Sequence, residues 1–136
     1  MVFPNSRTTD TTYYGEARPR AAGMVLTVEF ELDGHAFTAL NGGPEFHFSE
    51  AVSFQIDCTD QAEVDRYWEA LTVDGGQESM CGWLKDKYGL SWQVVPRRLV
   101  ELLADPDSGR AQCAMAAMMP MRKIVIADLE AAADAS

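Results

Sequence analysis

Few residues in this chain of 136 combine a type and a spacing suited to chemistry. His47 and Glu50 stand three apart, a spacing that can bring an imidazole and a carboxylate to one cation when the backbone is helical. Pro44, Phe46 and Phe48 around them point instead to extended chain. His35 sits beside Asp33-Gly34 and reads as a surface residue. Cys58, Cys81 and Cys113 are an odd, widely separated set with no Cys-x-x-Cys pair, which points to reduced thiols and away from a disulfide framework or zinc knuckle. A reactive Cys81 would need an adjacent base to lower its pKa, and none is identifiable in the sequence. Asn41-Gly42-Gly43-Pro44 is a loop, because a phosphate cradle needs a helix start directly after it and Pro44-Glu45-Phe46-His47-Phe48 is not one.

The elements that must position any site follow from period and punctuation. Cys81 to Pro96 holds two runs of bulky, strand-favouring residues around Asp86-Lys87-Tyr88-Gly89, and predicts a β-hairpin. Arg7 to Gly15 has strand composition, and Glu16 to Gly23 reads as an exposed loop. Met24 to Leu32 alternates, with Leu26, Val28, Phe30 and Leu32 on one face, and turns at Asp33-Gly34 into a partner strand, His35 to Leu40. Ala51 to Cys58 is the next strand. A capping box at Thr59 to Glu63 then opens a helix whose stripe Val64, Tyr67, Trp68 and Leu71 is expected to pack on Val52, Phe54 and Ile56. Beyond Pro96 the sequence predicts a short helix around Leu99 to Leu103, broken at Asp105-Pro106, and a second one capped by Ser108. Met115, Met118, Met119 and Met121 read as a core seam against the sheet or a partner chain. Lys123 to Ile126 reads as a short strand or extended turn, and Asp128 as the cap of a fraying helix, Leu129 to Ala135.

Size and charge bound the function. One domain with 47% hydrophobic residues can bury a core, and a net charge of -10 opposes binding to nucleic acid or anionic membranes. No apolar run approaches a bilayer span and no charged-then-apolar leader opens the chain, so a cytoplasmic location is expected.

Asp86-x-x-Gly89-x-x-Trp92-Gln93 resembles the last hairpin of the vicinal-oxygen-chelate superfamily, the glyoxalase, bleomycin-resistance and extradiol-dioxygenase group. Phe3-Pro4-Asn5-Ser6, Ala39 to Phe46, Glu50 to Phe54, Gln61 to Trp68 and Cys81 to Pro96, in that order, are similar to its PhnB-like branch, often labelled 3-demethylubiquinone-9 3-methyltransferase. The resemblance implies an α+β fold of βαβββ modules forming a curved, open mixed sheet. Within one domain, 1–136, it implies a partial first module over 3–44 that lacks its first strand and helix, a second module over 50–96, and a helical segment over 97–136.

It also implies where metal ligands would stand. Of four superfamily positions, the first lies on the missing strand, the second falls near Asn41, the third at Ala51 and the fourth at Gln93. None carries the imidazole or carboxylate that a divalent cation favours, so the expected cofactor set is empty, with a divalent metal as the alternative and His47 and Glu50 as its candidate ligands. If Ala51 faces the cavity, alternation carries Ser53 and Gln55 with it, and Asn41, Ser53, Gln55 and Gln93 line a pocket walled by Trp83 or Trp92. An ordinary solvated sheet face is the competing account of these residues. The leading expectation is a metal-free binder of a small organic molecule, working as a homodimer because a shortened first module leaves a sheet edge and apolar faces to cover. The alternatives are a metal-dependent lyase, isomerase or dioxygenase, and a structural remnant. No Gly-rich strand-to-helix turn followed by an acidic residue supports the methyltransferase label.

Overall fold

The computed structural model describes residues 1–17 and 20–135; the loop expected over 16–23 therefore lies partly outside it, at Arg18 and Pro19. The chain divides into two compact units, Met1–His47 and Phe48–Ser136.

In the first unit, β1 (Ser6–Tyr13), β2 (Val25–Leu32) and β3 (His35–Leu40) form an antiparallel sheet in that order. The β2–β3 hairpin closes through Asp33 (φ 49°) and Gly34 (φ 81°), the pair of positive φ values that a two-residue primed turn requires. Phe30 and Phe37 face each other across it and stack at 5.4 Å between ring centroids. The alternation of β2 predicts a buried face, yet no residue of β2 or β3 is fully buried.

The second unit holds a complete βαβββ order: β4 (Ser53–Cys58), α1 (Gln61–Thr72), β5 (Gln77–Glu78), β6 (Trp83–Lys85) and β7 (Ser91–Pro96). The sheet runs β4-β7-β6-β5, with β4 parallel to β7 and the other pairs antiparallel. Asp60 caps α1 by accepting from Glu63 N at 2.9 Å, and the Glu63 carboxylate returns to Thr59 N at 2.8 Å, a reciprocal capping box. Val64, Tyr67, Trp68 and Leu71 are buried as their spacing predicts. Their counterpart differs from expectation: α1 lies over β7 and β6 more than over β4, and packs with Leu84, Val94, Ile56 and Cys58 in the buried layer. Val52 is 61% and Phe54 40% exposed. The parallel crossover explains this, since a helix connecting β4 to a sheet that continues through β7 and β6 covers those central strands and leaves the edge strand's start outside.

The remaining helices are α2 (Arg97–Leu103), α3 (Ser108–Met118) and α4 (Ile126–Asp134). Leu99, Leu102, Ala114, Ile124, Leu129 and Ala133 make their common core. Three expectations need correction. Asp107, not Ser108, caps α3, because its carboxylate reaches Gly109 N at 2.8 Å. Of the two readings of Lys123 to Ile126, the extended turn holds as far as Val125 and the strand does not: Ile124 is a buried core plug, and α4 begins at Ile126, two residues before Asp128. Gln61 makes that earlier start possible, since its side chain accepts from Ile126 N at 2.9 Å and donates to Ile124 O at 3.0 Å. Leu129 and Ala133 of this helix are fully buried. Met118 and Met121 pack against this core, whereas Met115 and Met119 are exposed.

Burial pushes the Cys58 thiol up to about 12, aided by the nearby Glu63 carboxylate. Alkylation of native protein at neutral pH is therefore expected to spare Cys58 while labelling the half-buried Cys81 and Cys113, with mass spectrometry of tryptic peptides as the check. Modification of Cys58 at the rate of the other two would show that β4 opens readily.

Candidate functional site

The register of the second sheet sorts its residues into two faces. Phe54, Ile56 and Cys58 lie beside Trp92, Val94 and Pro96, with Leu84 opposite Trp92, and this set faces α1. Ser53, Gln55 and Asp57 lie beside Ser91, Gln93 and Val95, with Trp83 opposite Gln93 and Lys85 opposite Ser91, and this set faces away.

Four of the six residues expected to line a pocket are therefore on one face: Ser53, Gln55, Gln93 and Trp83. Gln93 Nε2 donates to Ser53 Oγ at 2.9 Å, and Gln55 Nε2 donates to Asp57 Oδ1 at 2.8 Å. Trp92 is on the other face, 8% exposed, with its ring 5.5 Å from that of Phe54. Alternation forces this, since Trp92 neighbours Gln93 in sequence and a one-residue step crosses the sheet. Its indole N–H donates to Asp86 Oδ2 at 3.0 Å while Asp86 Oδ1 accepts from Tyr88 N and Leu90 N, so the turn aspartate fastens both the hairpin reversal and the tryptophan. Asn41 belongs to the first unit, where its side-chain Nδ2 donates to Val25 O at 2.9 Å and its backbone carbonyl accepts from Tyr14 Oη at 2.5 Å. It serves there as a strand-end clamp.

Two residues of the face escaped the sequence reading. Lys85 Nζ meets Glu50 Oε1 at 2.6 Å, and Ser91 sits between Ser53 and Lys85 in the cross-strand row. Counting back by twos from Gln93 and forward by twos from Trp83 reaches both, so the hairpin pattern held the signal. The hydrogen bond from Lys85, then Glu50's own backbone N–H, then the lysine charge hold the Glu50 carboxyl below its usual range. Glu50, Gln77, Ser79, Trp83, Lys85 and Ser91 border a recess of about 150 Å³.

The arrangement offers neutral amides and hydroxyls, one paired ion couple and one indole wall. Among the described residues, no three His, Cys, Asp or Glu side chains gather closely enough to hold a metal ion. The Glu50 carboxylate is engaged by Lys85, Gln93 Nε2 donates to Ser53, and Ala51, in the turn before β4, carries no donor atom. His47 lies in irregular, exposed chain at the end of the first unit.

The second unit's βαβββ order and its mixed, open sheet define an α+β, glyoxalase-like protein. The model of the family described as 3-demethylubiquinone-9 3-methyltransferase matches residues 1–95. A PhnB protein from Bacillus cereus, carrying that methyltransferase name provisionally, is 30% identical. It superposes with a TM-score of 0.63 over 70% of this chain and 82% of its own. The chain belongs to this 3-demethylubiquinone-9 3-methyltransferase-like, PhnB-like family. A Pseudomonas aeruginosa protein is 20% identical over 59% of this chain and 71% of its own, with a TM-score of 0.46 that adds nothing to the fold argument. No curated protein matches the chain.

Proposed function

We propose that this protein binds a small organic molecule on the face of the second sheet that carries Ser53, Gln93, Trp83 and Lys85, without a resident metal. The observation that carries the reading is the Gln93–Ser53 hydrogen bond set directly across the strand from the half-buried Trp83. A flat apolar ring beside paired donors and acceptors is the common chemistry of small-ligand sites. The methyltransferase of the family description finds no support in these residues. The junction from β4 into α1, Cys58-Thr59-Asp60, has no glycine, and the Asp60 and Glu63 carboxylates there take the N–H groups of Glu63 and Thr59 and set negative charge at the helix start, where a phosphate-bearing or carboxylate-bearing cofactor would be repelled.

The test is a fragment screen on the full chain by two-dimensional amide NMR, repeated with Gln93→Ala. Ligands that shift the Ser53, Trp83 and Gln93 signals are expected to bind Gln93→Ala about three- to ten-fold more weakly, the worth of one or two hydrogen bonds. Equal binding by a variant with an unchanged melt would remove Gln93 from the site. A stoichiometric transition metal in the purified protein that raises Tm would replace the metal-free reading with a metal-dependent one.

A further inference from the structure

We infer that the recess beside the Lys85–Glu50 ion pair is a subsite for a small zwitterion of α-amino-acid size, with Lys85 taking its carboxylate, Glu50 its ammonium and Ser91 a third hydrogen bond. This rests on the reading that the same sheet face binds a small molecule, and names the class of ligand.

The first observation is Ser91. It is 1% exposed, it borders the recess, and its Oγ has no hydrogen-bond partner. A buried hydroxyl left alone is costly, and such groups are ordinarily satisfied by protein, water or ligand. Its neighbours on both sides are polar, with Ser53 across β4 and Lys85 across β6, so a hydrogen-bonding guest fits there and an apolar one does not.

The second observation is the charge pattern. Of the three charged residues bordering the recess, Glu78 directs its carboxylate to Trp68 Nε1 at 2.7 Å and to Arg122 at 3.6 Å. Lys85 and Glu50 remain, paired with each other at 2.6 Å and partly in solvent, where an ion pair is weak and readily exchanged. A zwitterion inserted between them replaces one ion pair by two. A simple anion would answer only Lys85 and would enter the field of a protein with a net charge of -10; a simple cation would answer only Glu50 and meet the lysine. The size agrees, because about 150 Å³ is many times the roughly 10–15 Å³ that a single water needs, and leaves room for a ligand of a few heavy atoms. Trp83 then walls the side where a short apolar substituent would lie.

The experiment titrates the full chain with L-alanine, propionate and ethylammonium, following amide NMR signals. L-Alanine is expected to shift Ser91, Lys85 and Glu50 saturably, with propionate and ethylammonium at least ten-fold weaker. Ser91→Ala removes a hydroxyl without a partner, so it should melt no lower than the parent while binding L-alanine about three- to ten-fold more weakly. Propionate binding as tightly as L-alanine would overturn the zwitterion assignment, and so would undiminished binding by Ser91→Ala. If L-alanine shifts nothing while neutral fragments still shift Ser53, Trp83 and Gln93, the zwitterion inference fails and the broader reading stands. If neither class shifts the face, both fail.

Discussion

Replacing Leu102 with alanine is expected to lower the unfolding free energy by about 2–5 kcal/mol, the usual cost of truncating a buried leucine and leaving a cavity. Leu102 is 1% exposed and sits among Leu99, Ala114, Ile124, Leu129 and Ala133, contributed by α2, α3, α4 and the segment between the last two. No single neighbour can move into the space without uncovering another, because each helix is already held at a second point. Arg110 on α3 bonds Asp105 at 3.0 Å and Asp134 at 2.7 Å, and Arg98 on α2 bonds Glu130 at 2.8 Å. These pairs, partly or largely in solvent, fix geometry more than they add energy. A fall in Tm of roughly 10 °C by calorimetry is the expected reading. The proposed binding face is made by β4, β6 and β7, so ligand affinity per folded molecule should survive. A loss of affinity at temperatures where the variant is fully folded would mean that the helices shape the site directly.

The sequence made the hairpin, the α1 stripe and the βαβββ order readable, because each is a local pattern reinforced by a turn or cap residue. Asp86 and Gly89 are an example, since one residue's carboxylate and the other's positive φ suffice to set the reversal. What failed to show depends on contacts distant in sequence. The start of α4 is set by Gln61, far back on α1, and nothing near Asp128 announces it. The placement of α1 over β7 and β6 follows from strand order, which alternation within β4 cannot reveal, so Leu84 and Val94 are absent from the expected packing of the α1 stripe and the exposed Val52 is included in it. In the site, alternation correctly grouped Ser53, Gln55 and Gln93. Trp92 left the group by the same rule, and Lys85 and Ser91 entered it once register was known. Glu50 is a different case. Its pairing with Lys85 crosses from the turn before β4 to the third strand of the sheet, a contact no spacing in the sequence encodes.

Gly82→Ala is expected to cost about 2–3 kcal/mol, more than the same change at Gly89, and to disturb the site as well as the fold. Both glycines have positive φ, 81° and 85°, so alanine at either meets the left-handed penalty of about 1–2 kcal/mol. They differ in surroundings. At Gly89 nothing lies within 4 Å of an added Cβ, whereas at Gly82 it would stand 3.0 Å from Val94 O and 3.2 Å from Ile124 Cγ1. Gly82 is also a junction: its N–H donates to Arg122 O at 2.8 Å and its carbonyl accepts from Val94 N at 2.8 Å, joining the hairpin to the segment after α3. Relief of the contact must push on β7 or on the buried Ile124, and either motion shifts Trp83 next along the chain. Paired denaturant melts of Gly82→Ala and Gly89→Ala separate the two contributions, with the common part reporting backbone strain and the excess at Gly82 reporting the contact. The Trp83 indole signal should move in the first variant and stay in place in the second. Equal costs for the two variants would show that the hairpin's attachment to the C-terminal helices yields freely, and that Trp83 is not held by it.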